Sequence, residues 1–256
     1  MQKKELTFDV VGTLRGVVTK FLPELVQKTR ETLRSRDLKL FDYVFGQYYL
    51  KDQITGRWYD PYHILLSTCF AVRLVKTEKG ISPLIVPGII MHDIGYCAIN
   101  LADLLSAETR ITHMQEGAAI SAEALVRVRG FNANEIGIIV GMVATHDNWI
   151  LNIPIADSRL ALTDADKIFV MSFISFYKDW VGGEGKNFSV EEFLDSRRHS
   201  FCEGKHSLST KLSQQLRDKQ FKYRQQEIQN NVLKDENSFR QYAEEHVRAE
   251  LEAGRG

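Results

Sequence analysis

The chain has 256 residues, 44% of them hydrophobic and 26% charged, with Lys plus Arg equal to Asp plus Glu at 33 each. This is an ordinary globular composition, so a disordered or fibrous chain is excluded, and no excess positive charge is available for an extended nucleic-acid surface. Cys69, Cys97 and Cys202 are odd in number and widely spaced, which fits neither a disulfide framework nor a CxxC metal knuckle and suggests inert thiols in a reducing cytoplasm.

The opening segment MQKKELTFDVVG carries lysines but no sustained apolar stretch, so no signal peptide is expected. Val10 to Leu25 has helical apolar spacing and is followed by an aromatic cluster, Phe41, Tyr43, Phe45, Tyr48 and Tyr49. Residues 1–57 therefore read as an N-terminal helical segment packing on a core at 58–181. Asp60 with Pro61 signals a helix start, with His63 in the first turn and apolar residues recurring through Leu65, Leu66, Phe70, Val72 and Leu74 until Gly80. Ser82 with Pro83 repeats that signal, and the segment Leu84 to Ile94 closes at Gly95, placing His92 and Asp93 in the last turn. Its apolar run is far short of the about 20 residues of a membrane span, so a soluble cytoplasmic protein without a membrane partner is expected.

A third helix is predicted from about His113 to Arg129, stopping at Gly130. Asn132 and Glu135 make a capping-box pattern for a fourth, ending near His146. Asp157 can cap a fifth, in which Leu162, Ala165, Asp166, Phe169, Val170 and Phe173 share a face. Ser189 with Glu192 opens a sixth, ending at Gly204. The loop around Gly182, Gly183 and Gly185 lacks the Lys and Ser/Thr of a phosphate-binding loop and reads as a turn. Residues 207–253 are polar, Gln-rich and helix-prone, so 182–256 reads as a C-terminal helical extension, a surface helix or partner-binding arm that could join copies of the chain. Almost nothing alternates like a strand, and the fold class expected is all-α.

Four of the seven histidines and several carboxylates form an ordered set: His63, the adjacent His92 and Asp93, His113, His146, then Asp164 or Asp166 in LTDADKI. Taken singly, each histidine has a plain reading as a capping or hydrogen-bonded residue. Asp93 lies at the unfavourable negative end of its predicted helix, and something positive should offset it. A carboxylate in an apolar stripe, as at Asp166, needs a cation or a metal, with a salt bridge to an arginine as the structural alternative. Imidazole and carboxylate together suit Fe, Mn, Zn, Co or Ni better than Mg or Ca.

The order H, HD, D resembles the HD superfamily of metal-dependent phosphohydrolases, across roughly residues 60–170. The segments that carry the resemblance are DPYHILL around His63, IIMHDIG around His92 and Asp93, and TDADKI around Asp166. HMQEGAAISAEAL, starting at His113, and VATHDN, containing His146, are similar to the subgroup that binds a second metal. The resemblance implies an HD-domain helical bundle with the metal site at its centre. It implies two divalent transition-metal ions, Fe or Mn foremost, with Asp93 bridging, His63, His92 and Asp166 on one ion, and His113 and His146 on the other. Asp166 rather than Asp164 matches the family's A-D-[KR]-[LI] segment, and it also falls on the apolar face.

The family often continues as HDIGK, but here Tyr96 stands at the lysine position. Arg110 and Lys167 are then the candidates for holding substrate phosphate. The implied activity is hydrolysis of a phosphate mono- or diester of a nucleotide or other small molecule by metal-activated water, with Asp93, His113 and His146 as catalytic candidates. Two alternatives stand beside it: an HD-type diiron oxygenase acting on a small organic substrate, and a non-catalytic HD module that binds a partner.

Overall fold

The computed structural model describes residues 6–49, 58–99, 106–147, 157–203 and 207–253. Asn148, Gly204 and His206 lie outside the described residues. Those described are all-helical, without a strand, and none of their helices is long and apolar enough to cross a membrane. The chain divides into two compact units: Val26–Asp166, here the internal unit, and Met1–Leu25 with Lys167–Gly256, the terminal unit.

Helix α1, Val10–Thr32, starts where the Asp9 carboxylate accepts the Gly12 N–H, a side-chain cap for an otherwise orphan donor. Its residues to Leu25 belong to the terminal unit and the remainder to the internal one. The internal unit continues with α2 (Ser35–Val44), a π turn (Phe45–Tyr49), α3 (Tyr59–Thr77) and α4 (Ile85–Met91). A 3-10 turn (Ile94–Cys97), α5 (Ala107–Val128), α6 (Ala133–Val143) and α7 (Asp157–Lys167) complete it.

Every residue of α4 is buried, and α2, α3 and α6 all pack on it. A helix apolar on all sides must be enclosed, so IVPGIIM is the core element from which His92 and Asp93 emerge. The helix stops earlier than its sequence suggests: it ends at Met91, His92 is the C-cap and Asp93 lies beyond it. Gly95 is not the left-handed cap either. A Cβ there would stand 1.8 Å from the His113 carbonyl oxygen and 2.6 Å from the Gly117 nitrogen, so this glycine serves backbone contact between the 3-10 turn and α5. By contrast Gly80, after α3, does take a left-handed φ of 84°, a conformation that suits glycine.

The Asn132–Glu135 capping box is present at α6, and its helix ends at Val143, leaving His146 in the following turn. Ser106 caps α5 by accepting the Thr109 N–H, so that helix begins six residues before His113 rather than at it. The fifth predicted helix divides: α7 ends at Lys167, a 3-10 turn covers Ile168–Met171, and Phe173 starts α8 (Phe173–Gly182) after Ser172 caps it.

The terminal unit adds α9 (Val190–Cys202), opened by the predicted Ser189–Glu192 capping box, then α10 (Lys211–Gln229), a 3-10 turn and α11 (Glu236–Ala253). Its core is aromatic, with Phe173, Tyr177 and Phe239 in mutual ring contact. The polar stretch after residue 207 is folded into this core rather than standing clear as an arm: Phe221, Arg224, Glu227, Val232, Phe239, Ala243 and Val247 are all buried. Arg224 donates to the Glu227 carboxylate at 2.5 Å and to the Met171 carbonyl at 3.3 Å, and His246 reaches Glu227 at 2.6 Å.

Candidate metal centre

Helix α3 brings His63, the end of α4 brings His92 and Asp93, α5 brings His113, the turn after α6 brings His146, and α7 brings Asp166. His63, His92, His113 and His146 are buried, so a ring nitrogen left without a partner or an ion carries a cost. Two constellations result, His63–His92–Asp93 and Asp93–His113–His146.

In the first, the Nε2 atoms of His63 and His92 are 2.9 Å apart. Asp93 Oδ2 lies 3.4 and 3.3 Å from them, and Asp166 Oδ1 lies 3.1 and 3.3 Å from them. In the second, the Nε2 atoms of His113 and His146 are 3.1 Å apart, with Asp93 Oδ1 at 3.6 and 3.4 Å. Asp93 thus turns one oxygen to each histidine pair. Asp164, the competing carboxylate, is the more deeply buried of the two, at 1% exposure, but it is Asp166 that meets the histidines.

The donor set fits divalent transition metals. Two nitrogens each about 2.0–2.1 Å from one ion and at a right angle would stand about 2.9 Å apart, close to the spacing seen in both pairs. Tautomers agree with this. His92 donates its Nδ1–H to the Ile89 carbonyl at 2.8 Å and His146 donates to the Val143 carbonyl at 2.9 Å, which leaves Nε2 facing inward in each. His63 Nδ1 lies 3.4 Å from the Ser67 hydroxyl, one turn along α3.

The electrostatics are those of a charged cluster. Burial raises the Asp93 and Asp166 carboxylates, but the neighbouring histidines, His92 foremost, outweigh it and hold both far below the usual carboxylate range. Burial likewise opposes charge on His92, yet Asp93 and Asp166 keep it well above the ordinary histidine value. His63 and His146 are raised in the same contest. His113 differs: burial prevails and pushes it down to about 4, so its ring is neutral at pH 7. The side chains of Asp93 and Asp166 keep 22% and 20% exposure against zero for His92 and His113, so the centre opens to solvent on its carboxylate side.

Arg110 stands at the edge of the second constellation, donating to Asp147 Oδ2 at 3.2 Å, and that oxygen is 4.0 Å from His113 Nε2. Lys167 is the last residue of α7, and only its place beside Asp166 recommends it. Two aromatic neighbours were not read from the sequence as contacts of the histidines. Tyr59 lies parallel to the His63 ring at 6.3 Å, and Tyr96 is stacked on His113 with centroids 3.9 Å apart. The Tyr59 signal, a ring one turn before a histidine on the same helix, was available in the sequence. The Tyr96 contact crosses between elements and was not. Compared with protein-family models, curated proteins and solved structures, the chain matches nothing.

Proposed function

We propose that this chain is an HD-type metal-dependent phosphohydrolase acting on a phosphate mono- or diester of a nucleotide or other small molecule. The observation that carries the reading is Asp93, whose two oxygens address two separate histidine pairs. His63, His92, Asp93 and Asp166 would hold one ion, and Asp93, His113 and His146 the other. Bound there, two ions would supply a hydroxide at neutral pH and charge to stabilise a developing oxyanion.

The protein's own contribution is positional. The buried histidines fix the donor directions through the Ile89 and Val143 carbonyls. The carboxylate side is the approach for substrate, and Arg110, beside the second constellation, is the cation placed to meet a phosphate, provided Asp147 releases part of its hold. His113 and His146 serve as donors in this reading, because their Nε2 atoms converge on Asp93 and each other.

A second reading, an iron-dependent oxygenase of the same superfamily, is favoured by one observation. Tyr96 stands where the resemblance would bring a phosphate-binding lysine, and its ring is taken up by His113. Metal analysis of the purified protein, joined to a screen of generic phosphatase and phosphodiesterase substrates with Mn and Co, separates the two. About two ions per chain with phosphoester turnover is the expected result; two irons, oxygen consumption and no phosphoester turnover would replace the proposal by the second reading.

A further inference from the structure

Three of the four clustered histidines have an oxygen near the nitrogen that faces away from the centre: the Ile89 carbonyl for His92, the Val143 carbonyl for His146 and the Ser67 hydroxyl for His63. His113 has none. Its Nδ1 is buried and has no hydrogen-bond partner among the described residues. A histidine that binds a metal usually has its orientation fixed by what its second nitrogen touches. His113 therefore needs another restraint, or the spread of ring angles would weaken its hold on an ion.

The restraint is aromatic. Tyr96 lies on the His113 ring with 3.9 Å between centroids and 8° between planes, the closest ring contact among the described residues of the internal unit. Close backbone approach accompanies it. The Gly95 Cα approaches α5 so closely at His113 and Gly117 that no side chain fits between, and the next residue, Tyr96, lies over the histidine. Parallel stacking fixes the plane of a ring while leaving its nitrogens free, which is what a donor without a hydrogen-bonded second nitrogen requires.

Resting on the two-ion reading above, we propose that Tyr96 is a positioning residue: its ring replaces the missing hydrogen bond of His113 and sets the affinity of the Asp93–His113–His146 constellation for its ion. The His63–His92–Asp93–Asp166 constellation shares only Asp93 with it and has its own histidines, so it serves as an internal control for folding.

The test is a titration of the metal-free full chain with Co(II), following the visible absorption of the bound ion, for the parent and for Tyr96→Phe, Tyr96→Leu and Tyr96→Ala. The parent takes up two ions with separate constants. Tyr96→Phe, which keeps the ring, leaves both within about twofold, whereas Tyr96→Leu and Tyr96→Ala weaken the second step by about 10–100-fold and leave the first within about twofold, the scale of an outer-shell change. A leucine variant whose second constant equals that of the parent overturns the inference alone. So does equal weakening of both steps, which would make Tyr96 a general packing residue. A parent that takes up a single Co(II) overturns the two-ion reading and this inference with it.

Discussion

Asp93 is shared between two histidine pairs, so replacing it by alanine should remove both ions, and metal analysis that still finds one ion would show the carboxylate is not the common ligand. Asp166 tests the other end of the site. Its Oδ1 lies 3.1 Å from His63, and Asp166→Asn should weaken the first ion by more than the ~10–100-fold of an outer-shell change, while Asp164→Asn should keep metal content near that of the parent. The sequence separated these two carboxylates by helical direction and by the resemblance, and Asp166 is the one whose Oδ1 lies beside His63 and His92. Helical direction misjudged burial, because Asp164 is enclosed at 1% exposure and hydropathy spacing does not report what covers a side chain. A pH signature follows from the same groups. His92 is raised in the metal-free protein, so its contribution to stability is fully present below the unfolded histidine value, about 6.5, and is lost as pH rises through the folded one. Asp93 and Asp166 are lowered, so theirs is present above about 3.9 and lost only as pH falls through the folded values. His113, lowered to about 4, works the other way below about 6.5, where the unfolded histidine is charged and the folded one is not, so for this cluster the chelated protein should be most stable toward the top of the window between about pH 4 and 6.5. Metal binding needs neutral Nε2 atoms, so loading at pH 7 should release protons and tighten with rising pH. An indicator in weak buffer that records no proton release would contradict this.

Among elements, the 3-10 turn after α4 and helix α5 are held at backbone contact. In Gly95→Ala the new methyl would meet the His113 carbonyl at 1.8 Å, and no flexible side chain is available to yield. The variant should lose about 2 kcal/mol or more, in or beyond the usual overpacking range, and should lose the ion at His113 and His146 before the other. Gly88→Ala meets the end of the Leu162 side chain at 2.7 Å, which can rotate, so chemical denaturation should rank it as the milder change. Equal effects would mean that the turn can slide along α5. The Asp60–Pro61 and Ser82–Pro83 starts are displaced, with Trp58 and Leu84 as the caps of α3 and α4. The capping boxes were nonetheless legible, because they need only a few adjacent residues, as at Asn132 with Glu135 and Ser189 with Glu192. Helix ends were not. The pattern carried α4 through to Ile94 and the fifth helix through to Phe173, whereas each gives way to a 3-10 turn imposed by packing between segments distant in sequence.

For the molecule as a whole, the largest difference from the sequence reading is the polar C-terminal stretch. Its polar, Gln-rich composition suggested a surface helix or arm, but charges that neutralise one another can be enclosed, and Arg224 with Glu227 is such a pair at 0% and 3% exposure. Breaking a buried pair from one side leaves an uncompensated charge, so Arg224→Met should destabilise the terminal unit by about 3–5 kcal/mol, and adding Glu227→Leu should restore much of the loss. A single variant as stable as the parent would mean that the pair is solvated in solution. The terminal unit is also built from both ends of the sequence: Lys20 bonds Glu244 at 2.8 Å, and Phe8 meets Phe239. That closure has a consequence for the order of events during synthesis. Every residue of the candidate metal centre has been made once Asp166 is made, so the internal unit can collapse with that centre complete while the chain is still growing. Helix α1 cannot find its partners on α11 until some 220 further residues have followed Lys20, so the terminal unit is the later of the two to close.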